Sequence, residues 1–208
     1  MPSVDPVVLV PVKAFADAKA RLATALSPAE RESLARYTAT RVLAAAAPAA
    51  VYVACDDDSV AQWASDHGAH VLWHPSVGLN RAIGNSVADL VALGAPHVVI
   101  AHGDLPRATG LAALAAAGCI TLVPDHAGDG TNVLSLPLPI EFGFSYGVGS
   151  FRRHLAAALA SGLRVRVRRD PLLALDIDTP HDLTHPLVQE GLPEWLRTNQ
   201  ANRPPAPR

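Results

Sequence analysis

Two aspartates on alternate residues, in Leu175-Asp176-Ile177-Asp178-Thr179-Pro180, are the first chemically pointed feature of this sequence. In an extended segment alternate side chains share a side, so both carboxylates face one way. Aspartate disfavours strands and like charges repel, so such a pair calls for something that neutralises it. A third carboxylate, Asp104 in His102-Gly103-Asp104-Leu105-Pro106, follows the apolar run HVVIA of residues 97–101. Three carboxylates at strand ends suit a hard, oxygen-seeking cation such as Mg2+, which keeps some waters and bridges to a nucleotide phosphate. The plainer alternative is helix capping, by Asp104 and by Asp178 before the last helix.

Cationic and hydrogen-bonding groups occur after other strand-like runs. The chain has 17 basic residues, of which only Lys13 and Lys19 are lysine, and both fall in Lys13-Ala14-Phe15-Ala16-Asp17-Ala18-Lys19-Ala20-Arg21. A compact ammonium suits phosphate oxygens; the rival reading is a solvated helix start. Asp125-His126-Ala127-Gly128-Asp129-Gly130-Thr131-Asn132 offers backbone amides and the Thr131 hydroxyl to an anion, or is an ordinary turn. Phe144-Ser145-Tyr146-Gly147-Val148-Gly149-Ser150 leads into a helix, and Gly147 and Ser150 at its start form a second candidate anion site. Arg152, Arg153 and His154 either assist there or form the exposed face of that helix. In Gly78-Leu79-Asn80-Arg81-Ala82, Asn80 either caps a helix or hydrogen-bonds a nucleobase edge.

These groups need a scaffold, and the hydrophobic pattern describes one. β-Branched runs predict strands over residues 7–12, 51–55, 70–73, 97–101, 119–123, 131–136, 164–167 and 173–177. Alanine-rich stretches between them predict helices, one opened by Ser27-Pro28-Ala29-Glu30 and others over 59–67, 80–93, 109–117 and 150–161. Alternating strands and helices point to a three-layer α/β/α domain with a mostly parallel sheet, whose ligands bind outside the carboxyl ends of the strands. Residues 1–190 read as a single domain, and residues 191–208, with Pro204-Pro205-Ala206-Pro207, as a loose C-terminal tail.

Composition narrows the classes. Of the 208 residues, 50% are hydrophobic and 17% charged, which supports a buried core and argues against disorder. A net charge of -2 gives no broad footprint for nucleic acid, and no apolar run approaches the roughly 20 residues of a membrane span. The start of the chain lacks a signal-peptide pattern and its two cysteines lack metal-ligand spacing, so a cytoplasmic location is expected. The zinc-hydrolase signature H-E-x-x-H is absent.

Taken together, VPVKAFADAKARL, GLNRA, HGDLP, PDHAGDGTNVL, FSYGVGSFRRH and LDIDTP resemble the 2-phospho-L-lactate and phosphoenolpyruvate guanylyltransferases of coenzyme F-420 biosynthesis. The likeness runs from about Val8 to Leu183. It implies a MobA-like, nucleotide-diphospho-sugar transferase-like (Rossmann-like) fold that moves GMP from GTP to a phosphorylated three-carbon acid and releases pyrophosphate. It also implies Mg2+ on Asp104, Asp176 and Asp178. Lys13, Lys19 and Arg21 would meet the triphosphate as catalytic and nucleotide-binding groups, with Asn80 near the guanosine. Thr131, Gly147 and Ser150 would hold the acceptor, phosphoenolpyruvate by likeness to the bacterial members, with 2-phospho-L-lactate and 3-phosphoglycerate as the other candidates. Rival readings are another MobA-like enzyme, such as a molybdenum-cofactor guanylyltransferase or a cytidylyltransferase, and a non-catalytic nucleotide-binding domain. Those enzymes carry a glycine-rich loop after the first strand, where this chain has VPVKAF.

Overall fold

The computed structural model describes residues 5–201. Its centre is a seven-stranded sheet in the order β3-β2-β1-β4-β6-β5-β7. The strands are β1 (Val7–Pro11), β2 (Val51–Cys55), β3 (His70–Trp73), β4 (His97–Ala101), β5 (Cys119–Pro124), β6 (Thr131–Pro137) and β7 (Arg164–Val167). Every pairing is parallel except those of β6, which runs antiparallel to both β4 and β5. Among the described residues the α-helices are α1 (Pro28–Ala45), α2 (Asp58–Asp66), α3 (Leu79–Ala92), α4 (Ser150–Ala160), α5 (Pro186–Gly191) and α6 (Glu194–Ala201). No helix among the described residues is long and apolar enough to cross a membrane.

Alternation within the strands divides the core into two layers. Val8 and Val10 of β1 face one side, where they pack with Val42 of α1 and Trp63 of α2. Leu9 faces the other side, with Ile83 and Leu90 of α3 and Ala158 of α4. Burying both faces is why β1 and β4 read as unbroken apolar runs. α1 starts with a capping box: the Ser27 backbone amide donates to Glu30 Oε2 at 2.8 Å, and the Glu30 amide donates to Ser27 Oγ at 3.4 Å.

A third apolar cluster positions the acidic residues. Leu22, Leu26 and Leu34 pack with Leu175, Ile177, Leu183, Val188, Leu192 and Leu196. Leu175 and Ile177 anchor inward, so Asp176 between them and Asp178 just after them are left to face the other way.

Three sequence expectations need correction. Residues 173–177 keep the in–out alternation but join no ladder; the segment is tied down by single bonds, such as Ile177 N–H to the Asp104 carbonyl at 3.3 Å. Residues 109–117 form only a 3-10 turn, Leu111–Leu114, between Gly110 and Gly118, both at φ +59. So short a run does not sustain an α-helix. The tail expected to be loose from residue 191 instead forms the α6 helix, with Leu192 and Leu196 buried. Residues 202–208 lie outside the described residues.

Candidate active site

The chain leaves β1 for β2 on one side of the sheet and later returns to β4 on the other. This reversal opens a crevice beyond the carboxyl ends of β1 and β4. A cleft of about 340 Å³ lies there, lined among others by Val12, Lys13, Lys19, His102, Asp104 and Asp178. A smaller recess of about 70 Å³ adjoins it, walled by Cys55, Asp56, His74, Gly78 and Leu79.

The three aspartates meet in this crevice. Asp104, Asp176 and Asp178 each bring a carboxylate oxygen to within 4.8 Å of the others. Asp104 arrives on the turn after β4; Asp176 and Asp178 arrive on the segment held by Leu175 and Ile177. Helix capping is not the role of Asp104, because no helix follows it directly. Lys19 supplies the counter-charge from the far wall: its Nζ lies 3.0 Å from Asp104 Oδ2 and 3.6 Å from Asp178 Oδ1, and also donates to the Ile177 carbonyl. To reach them the backbone at Lys19 adopts φ +57, which strains a residue other than glycine by about 1 kcal/mol.

The electrostatics follow from this packing. Burial opposes ionisation of Asp104, but the Lys19 charge together with hydrogen bonds to the carboxyl holds it below its ordinary pKa. Asp176 goes the other way. Burial first, then the charges of Asp104 and Asp178, push it up to about 6, although Asn132 Nδ2 donates to its Oδ1 at 3.3 Å. His102 is held neutral by burial, against the pull of Asp104 and Asp178. Asp104 Oδ1 is buried with no hydrogen-bond partner among the described residues. An all-oxygen donor set with one buried, unpaired carboxylate oxygen fits a hard divalent cation.

The other expected residues are distributed unevenly. Arg21 reaches Asp178 at 3.6 Å, but its side chain is 73% exposed, whereas that of Lys19 is 6% exposed; Lys19 is the cation built into the cluster. Lys13 is exposed on the cleft wall. Asn80 does not cap, because Gly78 is the N-cap of α3. The Asn80 side chain grips the backbone of Tyr146, accepting from its N–H at 2.6 Å and donating to its carbonyl at 3.3 Å.

Thr131, Gly147 and Ser150 gather around the start of α4. Thr131 Oγ1 lies 3.0 Å from His154 Nδ1, and Ser150 N–H donates to the Gly147 carbonyl at 2.9 Å. Several of the backbone amides expected to hold an anion here already have partners. Asp125 accepts from the Asp129 and Gly130 amides at 2.9 and 2.8 Å, and Asp129 accepts from Gly149 N–H at 2.8 Å. Phe151 N–H donates to the Asp129 carbonyl at 2.9 Å. The glycine at 130 is needed for this internal approach, since a Cβ there would stand 2.6 Å from Asp125 Oδ2.

His154 departs from expectation too. Arg152 and Arg153 are exposed as the outer-face reading required, but His154 is fully buried, with the ring of buried Tyr146 set edge-on to it at 4.6 Å. Sequence reasoning missed Asn132 and Tyr146 as partners of the site, and left His154 open between assisting there and lying on the exposed face. The available signal was that Asn132 and Tyr146 stand inside the motifs GDGTN and FSYGVGS.

The comparisons with known proteins agree with this geometry. The family profile described as "Guanylyl transferase CofC like" matches residues 6–191. A phosphoenolpyruvate guanylyltransferase from Sphaerobacter thermophilus is 38% identical over 187 residues, covering 85% of this chain and 90% of that protein. One from Rubrobacter xylanophilus is 39% identical over 184 residues, with coverage of 84% and 90%. In three dimensions, a nucleotidyl transferase from Methanothermobacter thermautotrophicus matches with a TM-score of 0.60 at 16% identity, covering 85% of this chain and 93% of that one, which shows a shared fold. On this evidence the chain belongs to the CofC-like guanylyl transferase family.

Proposed function

We propose that this protein transfers GMP from GTP to the phosphate of phosphoenolpyruvate, or of the related three-carbon acids 2-phospho-L-lactate and 3-phosphoglycerate, releasing pyrophosphate in the synthesis of coenzyme F-420. The carrying observation is the convergence of Asp104, Asp176 and Asp178 within 4.8 Å, beside a buried lysine, in a cleft at the reversal point of the sheet. Family membership and the names of its relatives support the same reading.

No protein nucleophile is required, because the acceptor phosphate oxygen is already anionic at neutral pH. The obstacle is electrostatic: two unit charges about 4 Å apart repel by roughly 4 kcal/mol at an effective dielectric of 20. Lys19 and Lys13 on the cleft wall, with Arg21 at its mouth, oppose that repulsion with fixed positive charge. Asp104, Asp176 and Asp178 would hold Mg2+, which when bound neutralises triphosphate charge and eases departure of pyrophosphate. Thr131 and Ser150, with the backbone at Gly147, orient the acceptor phosphate, so that the reaction becomes effectively intramolecular. Asn80 acts one step back by holding the Tyr146 backbone, which carries the chain into Gly147.

Incubation with GTP, Mg2+ and each acid in turn, followed by pyrophosphate release and product mass, tests the proposal. A product containing GMP joined through phosphate to phosphoenolpyruvate is expected. GTP binding with no pyrophosphate released by any acid would overturn it in favour of a nucleotide-binding module.

A further inference from the structure

We propose that His154 is a positioning residue: its ring fixes the polarity of the Thr131 hydroxyl, so that this hydroxyl donates its proton to the anionic acceptor. The role rests on the reading of Thr131 given under the proposed function; the polarity itself follows from two contacts. His154 Nε2 lies 2.9 Å from the backbone nitrogen of Ser145, and Nδ1 lies 3.0 Å from Thr131 Oγ1. A backbone N–H can only donate, so Nε2 must present its lone pair. In a neutral imidazole the single proton is then on Nδ1, and Nδ1–H donates to Thr131 Oγ1. A hydroxyl that accepts from the histidine has its own hydrogen left to give elsewhere.

An anion offers only acceptors, so this is the useful polarity. With the opposite tautomer Thr131 would donate to the ring and turn lone pairs toward the phosphorylated acid. Nothing about the ring encourages a second proton. His154 is fully buried, with the Tyr146 ring 4.6 Å and the Phe142 ring 5.9 Å away. Burial first, then the charge of Arg153, lowers its pKa to about 4. The same ring ties Ser145 to Thr131, linking the loop that carries Gly147 with the first residue of β6.

The tautomer is directly measurable. Two-bond 15N–1H correlation spectra of the labelled protein, with the signal assigned by His154→Gln, are expected to show the proton on Nδ1. A proton on Nε2, or a doubly protonated ring at neutral pH, overturns the proposal. This readout needs no turnover, so it stands apart from any failure to find an acceptor acid.

Kinetics test the consequence. Glutamine at 154 can accept from Ser145 N–H in place of Nε2 but gives Thr131 no donor in place of Nδ1. His154→Gln is expected to raise the acceptor KM about ten-fold, with the GTP KM little changed, because one hydrogen bond to a charged group is lost. Asparagine at 154 can donate from the Nδ1 position but cannot reach Ser145, and is expected to raise the acceptor KM several-fold less than glutamine does. In a Thr131→Val background His154→Gln should add almost nothing. A larger acceptor defect in the asparagine variant, or full additivity with Thr131→Val, would show that the ring merely holds the loop and would overturn the proposal.

Discussion

Replacing Asp176 with asparagine is expected to stabilise the metal-free protein while removing its activity. The folded chain crowds the Asp176 carboxylate against those of Asp104 and Asp178, and Lys19 reaches only the latter two within 4.0 Å among the described residues. Burial and those two charges raise its pKa from 3.8 to about 6. Roughly two pKa units correspond to about 3 kcal/mol of penalty on the charged form. The sign is set by where each state ionises. Below pH 3.8 the carboxyl is protonated in both states and costs nothing; between 3.8 and 6 the unfolded chain ionises first; above 6 the whole penalty falls on the folded state. Asparagine carries no charge and its Oδ1 can still accept from Asn132. In chelator above pH 7, Asp176→Asn should therefore unfold several degrees above the wild type, since each kcal/mol shifts Tm by about 2–4 °C at this size. The gap should close toward pH 4. Added Mg2+ should stabilise the wild type far more than the variant. GTP-dependent pyrophosphate release should fall about 100-fold or more, as expected when one group of a metal site is lost. A variant less stable than the wild type in chelator at pH 8, or one that keeps near-normal turnover, refutes the reasoning.

Lys19→Met should act oppositely on stability. It leaves buried Asp104 unpaired, at a cost of about 3 kcal/mol once the partial exposure of Asp178 is discounted, and Mg2+ should restore most of it in urea titrations. Unchanged unfolding in chelator would contradict this. Asn80→Ala removes both contacts to Tyr146 and should cost about 1–3 kcal/mol, with the acceptor KM rising more than the GTP KM; an effect confined to GTP would return Asn80 to the guanosine site. His97, buried beside Ser135 Oγ at 2.7 Å, has its pKa lowered to about 4 by burial. The unfolded chain takes up that proton below about pH 6.5 and the folded one not until about 4, so stability is lost as pH falls through this window, by up to about 3 kcal/mol. His97→Gln should flatten the slope of unfolding free energy between pH 6.5 and 4; an unaltered slope would count against it.

Much of this molecule was legible along the chain. The strands β1 and β4 stand out because both their faces are buried, so the apolar runs are continuous. The Ser27–Glu30 capping box is a purely local arrangement and appears as expected. The alternation Leu175-Asp176-Ile177-Asp178 signalled that one side is buried and the other acidic, and that holds even though no strand forms there. What periodicity cannot contain is the partner across space. That Lys19 answers Asp104, that Asn80 grips Tyr146 and that His154 turns inward to Thr131 are pairings of residues 85, 66 and 23 positions apart. Such pairings exist only once the sheet order and the reversal between β1 and β4 have brought separate strand ends to one crevice. The same limit explains the amides of the 125–130 and 147–151 loops: local pattern shows that donors are present, and only the folded geometry shows that Asp125 and Asp129 already accept from several of them.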